Sequence, residues 1–310
     1  MKTDSLAILS GSANRGLAAD IARRAGASLC SATVDRFPDG EVNVVVGDVR
    51  DKDVFIIQST APPVNDHLME LLALADACRR ASAARICAVV PYFGYARSDK
   101  RHGRHEPISA RLVADLLQTA GVGHLITIDL HAPQIEGFFR IPVDSLTAVD
   151  VLCDALAGRL PPGAVVVSPD AGRLRMATTY ADRLRTPVVL LHKTREVGSR
   201  AHVTHLVGTA RGKHCLVVDD MISTGGTITE AVEMLTGAGA LPGIVVAATH
   251  GVFVGGARAA MTRKGIGDVF VTDTIEQREP WPGLHVVSVA PLLADAILRI
   301  RSGEPAVPHS

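Results

Sequence analysis

Residues 215–239 read CLVVDDMISTGGTITEAVEMLTGAG. An apolar run leads to two acids, Asp219 and Asp220. A short loop of Ser223, Thr224, Gly225, Gly226 and Thr227 follows, and then an amphipathic helical pattern begins. A strand that passes through small residues into a helix is the repeating step of an α/β protein. The loop carries a chemical expectation as well. Small residues let backbone N–H groups approach a phosphate, and a helix start adds partial positive charge. Two neighbouring acids accept hydrogen bonds from vicinal hydroxyls, so acids ahead of such a loop suit a sugar phosphate better than a bare nucleoside triphosphate. The Gly-Lys-Ser/Thr ending of a Walker-type loop is absent.

The same step recurs on both sides. DVFIIQST (53–60), RICAVVPYF (85–93) and HLITIDL (124–130) precede it in the first half; GAVVVSPD (163–170), TPVVLLHK (186–193), GIVVAATH (243–250) and DVFVTD (268–273) flank it in the second. Nearly continuous apolar runs of this length predict strands buried on both faces, in a parallel sheet covered by helices. In NDHLMELLALADACRRAS, Leu68, Leu71, Leu72 and Ala75 share a helical face, with Asn65 as the expected N-cap. ISARLVADLLQTAG predicts a helix from about Ser109 that stops at Gly121. A Pro-Pro-Gly turn at 161–163 separates two groups of alternations. The expected division is therefore two domains, 1–148 and 149–310.

At 310 residues, 47% hydrophobic and 21% charged, the chain has material for two cores. Lysine plus arginine (32) balances aspartate plus glutamate (32), so no global field favours nucleic acid or a membrane surface. Five scattered cysteines without a Cys-x-x-Cys pair fit reduced thiols. With no signal-peptide core and no apolar stretch of membrane-spanning length, the expected location is the cytoplasm.

The segment at 215–239 resembles the PRPP-binding motif of the phosphoribosyltransferase fold. RFPDGEVNV (36–44), IIQSTAPPVNDHLMELL (56–72), VVPYFGYARSDKR (89–101), ITIDLHAPQIEGFF (126–139), VVVSPDAG (165–172), LLHKTR (190–195) and VVDDMISTGGTI (217–228) lie in the order found in ribose-phosphate pyrophosphokinases. The resemblance covers about residues 5–300. It implies two phosphoribosyltransferase-like (Rossmann-like) domains, an ATP side and a ribose-phosphate side. The implied reaction moves diphosphate from Mg-ATP to the anomeric hydroxyl of ribose 5-phosphate, giving PRPP and AMP for nucleotide biosynthesis.

Carried over by position, the resemblance implies ATP contacts at Phe37, Asp39, Gly40, Glu41, Arg97, Ser98, Asp99 and His131. The first four sit in a loop that reaches a neighbouring subunit in this family, which implies self-association, dimer-based and extending to hexamers. His131 and Asp170 match magnesium (Mg2+) positions. Lys193 and Arg195 match catalytic cations, Arg195 also touching ribose 5-phosphate. Asp219, Asp220, Ser223, Thr224, Gly225, Gly226 and Thr227 match the ribose-5-phosphate site. Two cations closing over the reacting phosphates neutralise charge and exclude water.

Four features depart from the common family pattern: Ser98 stands for a glutamine, Arg173 for a glycine, Ser223 for an aspartate, and the loop 101–106 is altered. The C-terminus also lacks the family's regulatory ending, although Arg50, Arg80 and Ser82 match parts of the phosphate and ADP site. Two rival readings compete: a non-catalytic regulatory relative, and a phosphoribosyltransferase that consumes PRPP. Intact Lys193, Arg195, His131 and Asp170 oppose the first. The segments around Asp39, Arg97 and His131 have no purpose in the second.

Overall fold

The computed structural model describes residues 5–101, 103, 105–195 and 202–306, the side chains of 193–195 and 202–204 excepted. The chain divides into two units. One comprises Met1–Thr147, Thr274–Glu276 and Ser288–Ser310; the other comprises Ala148–Asp273 and Gln277–Val287.

The first unit begins β1 (Leu6–Ser10), α1 (Arg15–Arg24), β2 (Ala32–Arg36), β3 (Val42–Val46), β4 (Asp53–Ile57) and α2 (Val64–Arg80). It continues β5 (Arg85–Val90), α3 (Ser109–Ala120), β6 (His124–Ile128) and β7 (Val143–Leu146). Its sheet has the order β1-β4-β5-β6-β7, parallel throughout. β4, β5 and β6 are buried along almost their whole length, as their unbroken apolar runs require. Leu71, Leu74 and Ala75 of α2 and Val113 and Leu117 of α3 join Leu9, Ile56 and Val90 in one core. Each such side chain stabilises by roughly 1.5–3 kcal/mol when fully buried.

Local chemistry sets the helix ends. Gly121 closes α3 in the left-handed region at φ 111°, where glycine has no Cβ penalty. Asn65 does not cap α2. The helix starts one residue earlier, directly after Pro63, whose extended backbone serves as the N-cap without a side-chain bond. Asn65 lies inside the first turn and accepts a hydrogen bond from the Tyr95 hydroxyl.

The second unit holds α4 (Val149–Leu156), β8 (Val165–Ser168), α5 (Leu174–Leu184), β9 (Val188–Arg195), β10 (His202–Val207) and β11 (Cys215–Ile222). After them come α6 (Gly226–Gly237), β12 (Ile244–Gly251), α7 (Ala257–Met261), β13 (Ile266–Thr272) and β14 (Leu284–Val287). The sheet order is β10-β9-β8-β11-β12-β13-β14, parallel except for β9–β10. From β8 the chain first steps to β9 on one side and later to β11 on the other. That reversal is a topological switch point, and the crevice outside the carboxyl ends of β8 and β11 is where open α/β sheets bind ligands.

Two features differ from the sequence expectation. β2–β3 and β9–β10 pair antiparallel; residues 37–41 and 196–201 leave no room for the crossover of about a dozen residues that parallel pairing needs. The last helix, α8 (Ala290–Ser302), belongs with the first unit rather than with residues 149–310. Its apolar face, including Leu293, Ala294 and Ile297, is buried, and it packs on α1. Arg301 adds a 3.1 Å hydrogen bond to Ser5 Oγ. The Ser59 hydroxyl donates to the Thr274 carbonyl within the same unit. Among the described residues, no helix is long and apolar enough to cross a membrane.

Candidate active site

β11 carries the acid pair inside the strand rather than at its end, because β12 accompanies it as far as Ile222–Gly251. On its other edge β8 accompanies it only from Cys215 to Val217. Asp219 and Asp220 therefore project past the point where β8 has stopped. Both are buried. Asp219 Oδ1 accepts the Asp220 N–H at 2.9 Å. Burial, and next the negative charge of Asp220, push the Asp219 carboxyl well above the ordinary carboxylate range, while Arg173 opposes them.

The residues expected to hold a phosphate follow at once. Ser223 is half-buried, Thr224, Gly226 and Thr227 are exposed, and Gly225 is buried. The Phe253 N–H donates to Ile222 O and the Val254 N–H to Ser223 O, both at 3.0 Å, so the segment after β12 holds the loop. Gly225 is the N-cap of α6 at φ 84°, with no side-chain capping bond. A Cβ there would stand 2.9 Å from Met261 Cε and 3.0 Å from Ala260 Cβ. Conformation and packing thus both require glycine, and the first N–H groups of α6 face the loop as donors for an anion.

Across the crevice, β8 ends at Ser168 and the chain turns through Asp170 into a short 3-10 turn, Ala171–Arg173. Asp170 Oδ1 accepts the Arg173 N–H at 3.1 Å, and Ser168 Oγ donates to the Asp170 carbonyl at 2.7 Å. The turn directs Arg173 at the acid pair: its Nε lies 3.2 Å from Asp219 Oδ1 and 3.2 Å from Asp220 Oδ1. The sequence marks Arg173 as a departure without showing what it contacts. The signal was visible, a large cation where the resemblance has a glycine, but its target was not.

Lys193 and Arg195 lie within β9, which extends further than the apolar run and pairs them with Thr204 and His202 of β10. Their side chains are outside the described residues, as are Gly198 and Ser199 entirely.

In the first unit the carboxyl ends of β5 and β6 carry Arg97, Ser98, Asp99 and His131, four of the residues expected to contact ATP. A cavity of about 670 Å³ there is lined by Asn65, Tyr92, Tyr95, Arg97, Ser98 and Lys100 among others. A second cavity, about 320 Å³, lies at the opposite end, where Asp53, Arg85 and His124 begin β4, β5 and β6. The carboxyl-end cavity is the one positioned for a ligand. Arg97 is exposed, as a nucleotide contact requires. Ser98 is half-buried and its Oγ accepts the Ser109 N–H at 3.4 Å, at the start of α3. Asp99 is buried and receives a hydrogen bond from Gln134. That bond, with the edge-to-face pair Phe93–Phe139 at 6.0 Å, ties the loop after β5 to the 3-10 turn Pro133–Phe138. His131 is half-buried, three residues beyond β6. His102 and Arg104 of the neighbouring basic cluster lie outside the described residues.

Phe37, Asp39, Gly40 and Glu41 occupy the exposed tip of the β2–β3 hairpin. The Gly40 N–H donates to Phe37 O at 2.8 Å, and Gly40 has φ 92°. Arg36 anchors the hairpin, donating to Gly40 O at 3.2 Å and pairing with Asp66 of α2 at 3.3 Å.

A model for the N-terminal domain of ribose phosphate pyrophosphokinase matches residues 6–121, and one for the phosphoribosyl synthetase-associated domain matches 197–307. A ribose-phosphate pyrophosphokinase from Caldanaerobacter subterraneus subsp. tengcongensis is 45% identical over 305 residues, 97% of this chain and 96% of the relative. One from Thermotoga maritima is 44% identical over 303 residues, 96% of each. The crystal structure of phosphoribosylpyrophosphate synthetase from Mycobacterium smegmatis matches with a TM-score of 0.90 and 41% identity, over 96% of this chain and 99% of that one.

Proposed function

The chain belongs to the ribose-phosphate pyrophosphokinase family and is an enzyme that makes PRPP from ATP and ribose 5-phosphate, and from that premise we propose how its residues divide the work. Asp219 and Asp220 accept hydrogen bonds from the ribose hydroxyls. Ser223, Thr224, Gly225, Gly226 and Thr227, with the first N–H groups of α6, hold the 5-phosphate. The sugar's anomeric hydroxyl is then presented for in-line attack on the β-phosphorus of ATP, with AMP as the leaving group. Lys193 and Arg195 supply positive charge to the phosphates in transit, Arg195 also contacting ribose 5-phosphate. Such a reaction asks the protein chiefly for positioning and charge stabilisation. The observation that carries this division is the buried acid pair beside the uncapped start of α6, at the switch point of the second sheet.

On the ATP side we assign Arg97, Ser98, Asp99 and His131, with Phe37, Asp39, Gly40 and Glu41 reaching the adenine of a neighbouring copy. Arg97 lines the 670 Å³ cavity and suits stacking on a base or forking onto phosphate. Asp99 acts there through the Gln134 tie, since it is buried. The exposed hairpin tip supports self-association as a dimer or a larger, hexameric assembly. The thiols, none in a disulfide among the described residues, support a cytoplasmic location.

Mg-ATP dependence follows from the family. The donor chemistry of Asp170 fits the ion, since magnesium prefers oxygen ligands and the bond from the Arg173 N–H fixes this carboxylate's orientation. No group of three metal-ligating side chains gathers among the described residues, so the remainder of the shell would come from phosphate oxygens and water. His131 is assigned at or near that shell. Bound magnesium supplies charge neutralisation to the phosphates.

The test is AMP release from Mg-ATP by purified protein, with PRPP followed in parallel. AMP and PRPP in equal amounts, only when ribose 5-phosphate and magnesium are both present, is the expected result. A folded protein that binds ATP or ribose 5-phosphate without turnover would instead be a regulatory subunit.

A further inference from the structure

Arg173 is held twice. Its own N–H is bound by Asp170, which fixes its Cα beside the end of β8. At the other end, its Nε reaches both acids of β11 at 3.2 Å. Its side chain is only 16% exposed, against 10% for Asp219 and 2% for Asp220. Successive residues of a strand point to opposite faces, and adjacent carboxylates repel; a cation between them supplies both the attraction and the common target that brings their Oδ1 atoms to one place. With its Nε 3.2 Å from an oxygen of each acid, one guanidinium forms an ion pair with both carboxylates.

We infer that Arg173 is a positioning residue for ribose 5-phosphate: it holds Asp219 and Asp220 in register as a joint acceptor for the sugar's vicinal hydroxyls. This rests on the reading of those acids as the ribose contacts. A residue acting this way changes the grip on the sugar without touching the reacting phosphates, and it gives this chain a dependence that a glycine at 173 cannot have.

The experiment is steady-state kinetics on the full chain, varying ribose 5-phosphate and ATP separately, for Arg173→Gly, Arg173→Lys, Asp220→Asn and the double variant Arg173→Gly/Asp220→Asn. Thermal melts monitor folding. Arg173→Gly should raise the KM for ribose 5-phosphate about tenfold, the effect of one charge-assisted hydrogen bond, and leave the KM for ATP and kcat within about threefold. Arg173→Lys should recover part of the loss, since a lysine restores the charge without the planar fork. The double variant should fall short of the product of the two single effects. Inhibition by 2-deoxyribose 5-phosphate, which lacks one hydroxyl of the diol, should weaken less in Arg173→Gly than ribose 5-phosphate binding does. Equal weakening of both sugars, or a lower KM for ribose 5-phosphate in Arg173→Gly, overturns the inference; Arg173→Lys carries the same comparison if the glycine variant does not fold. An unchanged KM in Asp220→Asn instead overturns the reading of the acids, whatever Arg173 does.

Discussion

The loops after β1 and after β11 start alike and are completed differently. Each leaves a buried parallel strand, passes through small residues and enters a helix. After β1, Asn14 caps α1, its Oδ1 accepting the Leu17 N–H at 3.0 Å. Gln58 and Glu70 fill the space beside the loop: Gln58 Oε1 takes the Ala13 N–H at 3.1 Å, and Glu70 Oε2 takes Ser12 Oγ at 2.6 Å and Gln58 Nε2 at 2.8 Å. A Cβ on Gly11 would lie 2.3 Å from Gln58 Oε1. After β11, α6 starts on Gly225 with no side-chain cap, and Thr224, Gly226 and Thr227 are exposed. The lesson is that strand, small-residue loop and helix do not by themselves make a phosphate site. What decides is whether the helix's first donors find acceptors within the chain or have to take them from outside.

The largest effect on the open loop's side of the contrast is expected at Lys193 of β9, the proposed catalytic cation. Lys193→Ala should slow turnover at least ~100-fold with the fold intact by circular dichroism, since one charge contact in a transition state is worth about 3–4 kcal/mol; near-normal turnover would remove Lys193 from the mechanism. The filled loop should behave in the opposite way. Glu70→Ala strips partners from buried donors and should lower unfolding stability by about 1–3 kcal/mol in urea titration, with both KM values near wild type. A rise in the KM for ribose 5-phosphate would mean that the first loop also serves that substrate; a rise for ATP alone would report the loss of the Arg36–Glu70 ion pair, 3.6 Å, beneath the hairpin. Gly225→Ala forces a side chain into the left-handed region and against Met261. The strain is about 1–2 kcal/mol, and the KM for ribose 5-phosphate should rise about tenfold as the loop shifts, measured against an unchanged KM for ATP. Smallest is Asn14→Ala, about 1 kcal/mol of stability from a lost cap and no kinetic change, read from a shift in the denaturation midpoint.

The contrast also marks what the sequence could and could not convey. The central strands were legible because burial on both faces writes an unbroken apolar run, as in RICAVV and CLVV. β2, β3 and β14 were not, since these edge or hairpin strands are half-exposed and are interrupted by polar residues, Asp35, Asn43 and His285. The acid pair and the glycine loop were legible because they are contiguous. Their surroundings were not: the Arg173 contact depends on β8 ending short of β11, which is a matter of relative strand length, and the burial of Asp99 depends on Gln134, 35 positions away. Asn65 was misplaced as a cap because a proline two residues earlier can open a helix without donating or accepting through a side chain.

The return of α8 to α1 has a consequence for how this chain is made. Synthesis runs from the N-terminus, and domains tend to fold in the order they emerge. Here the first unit waits for a later segment: α1 precedes the whole second unit in the chain, while the helix that packs on it follows that unit. In chain order the second unit is thus an insertion in the first, and it can finish its sheet while the first still lacks α8. A chain truncated after Val287 should carry a protease-resistant second unit and a first unit with α1 incompletely covered.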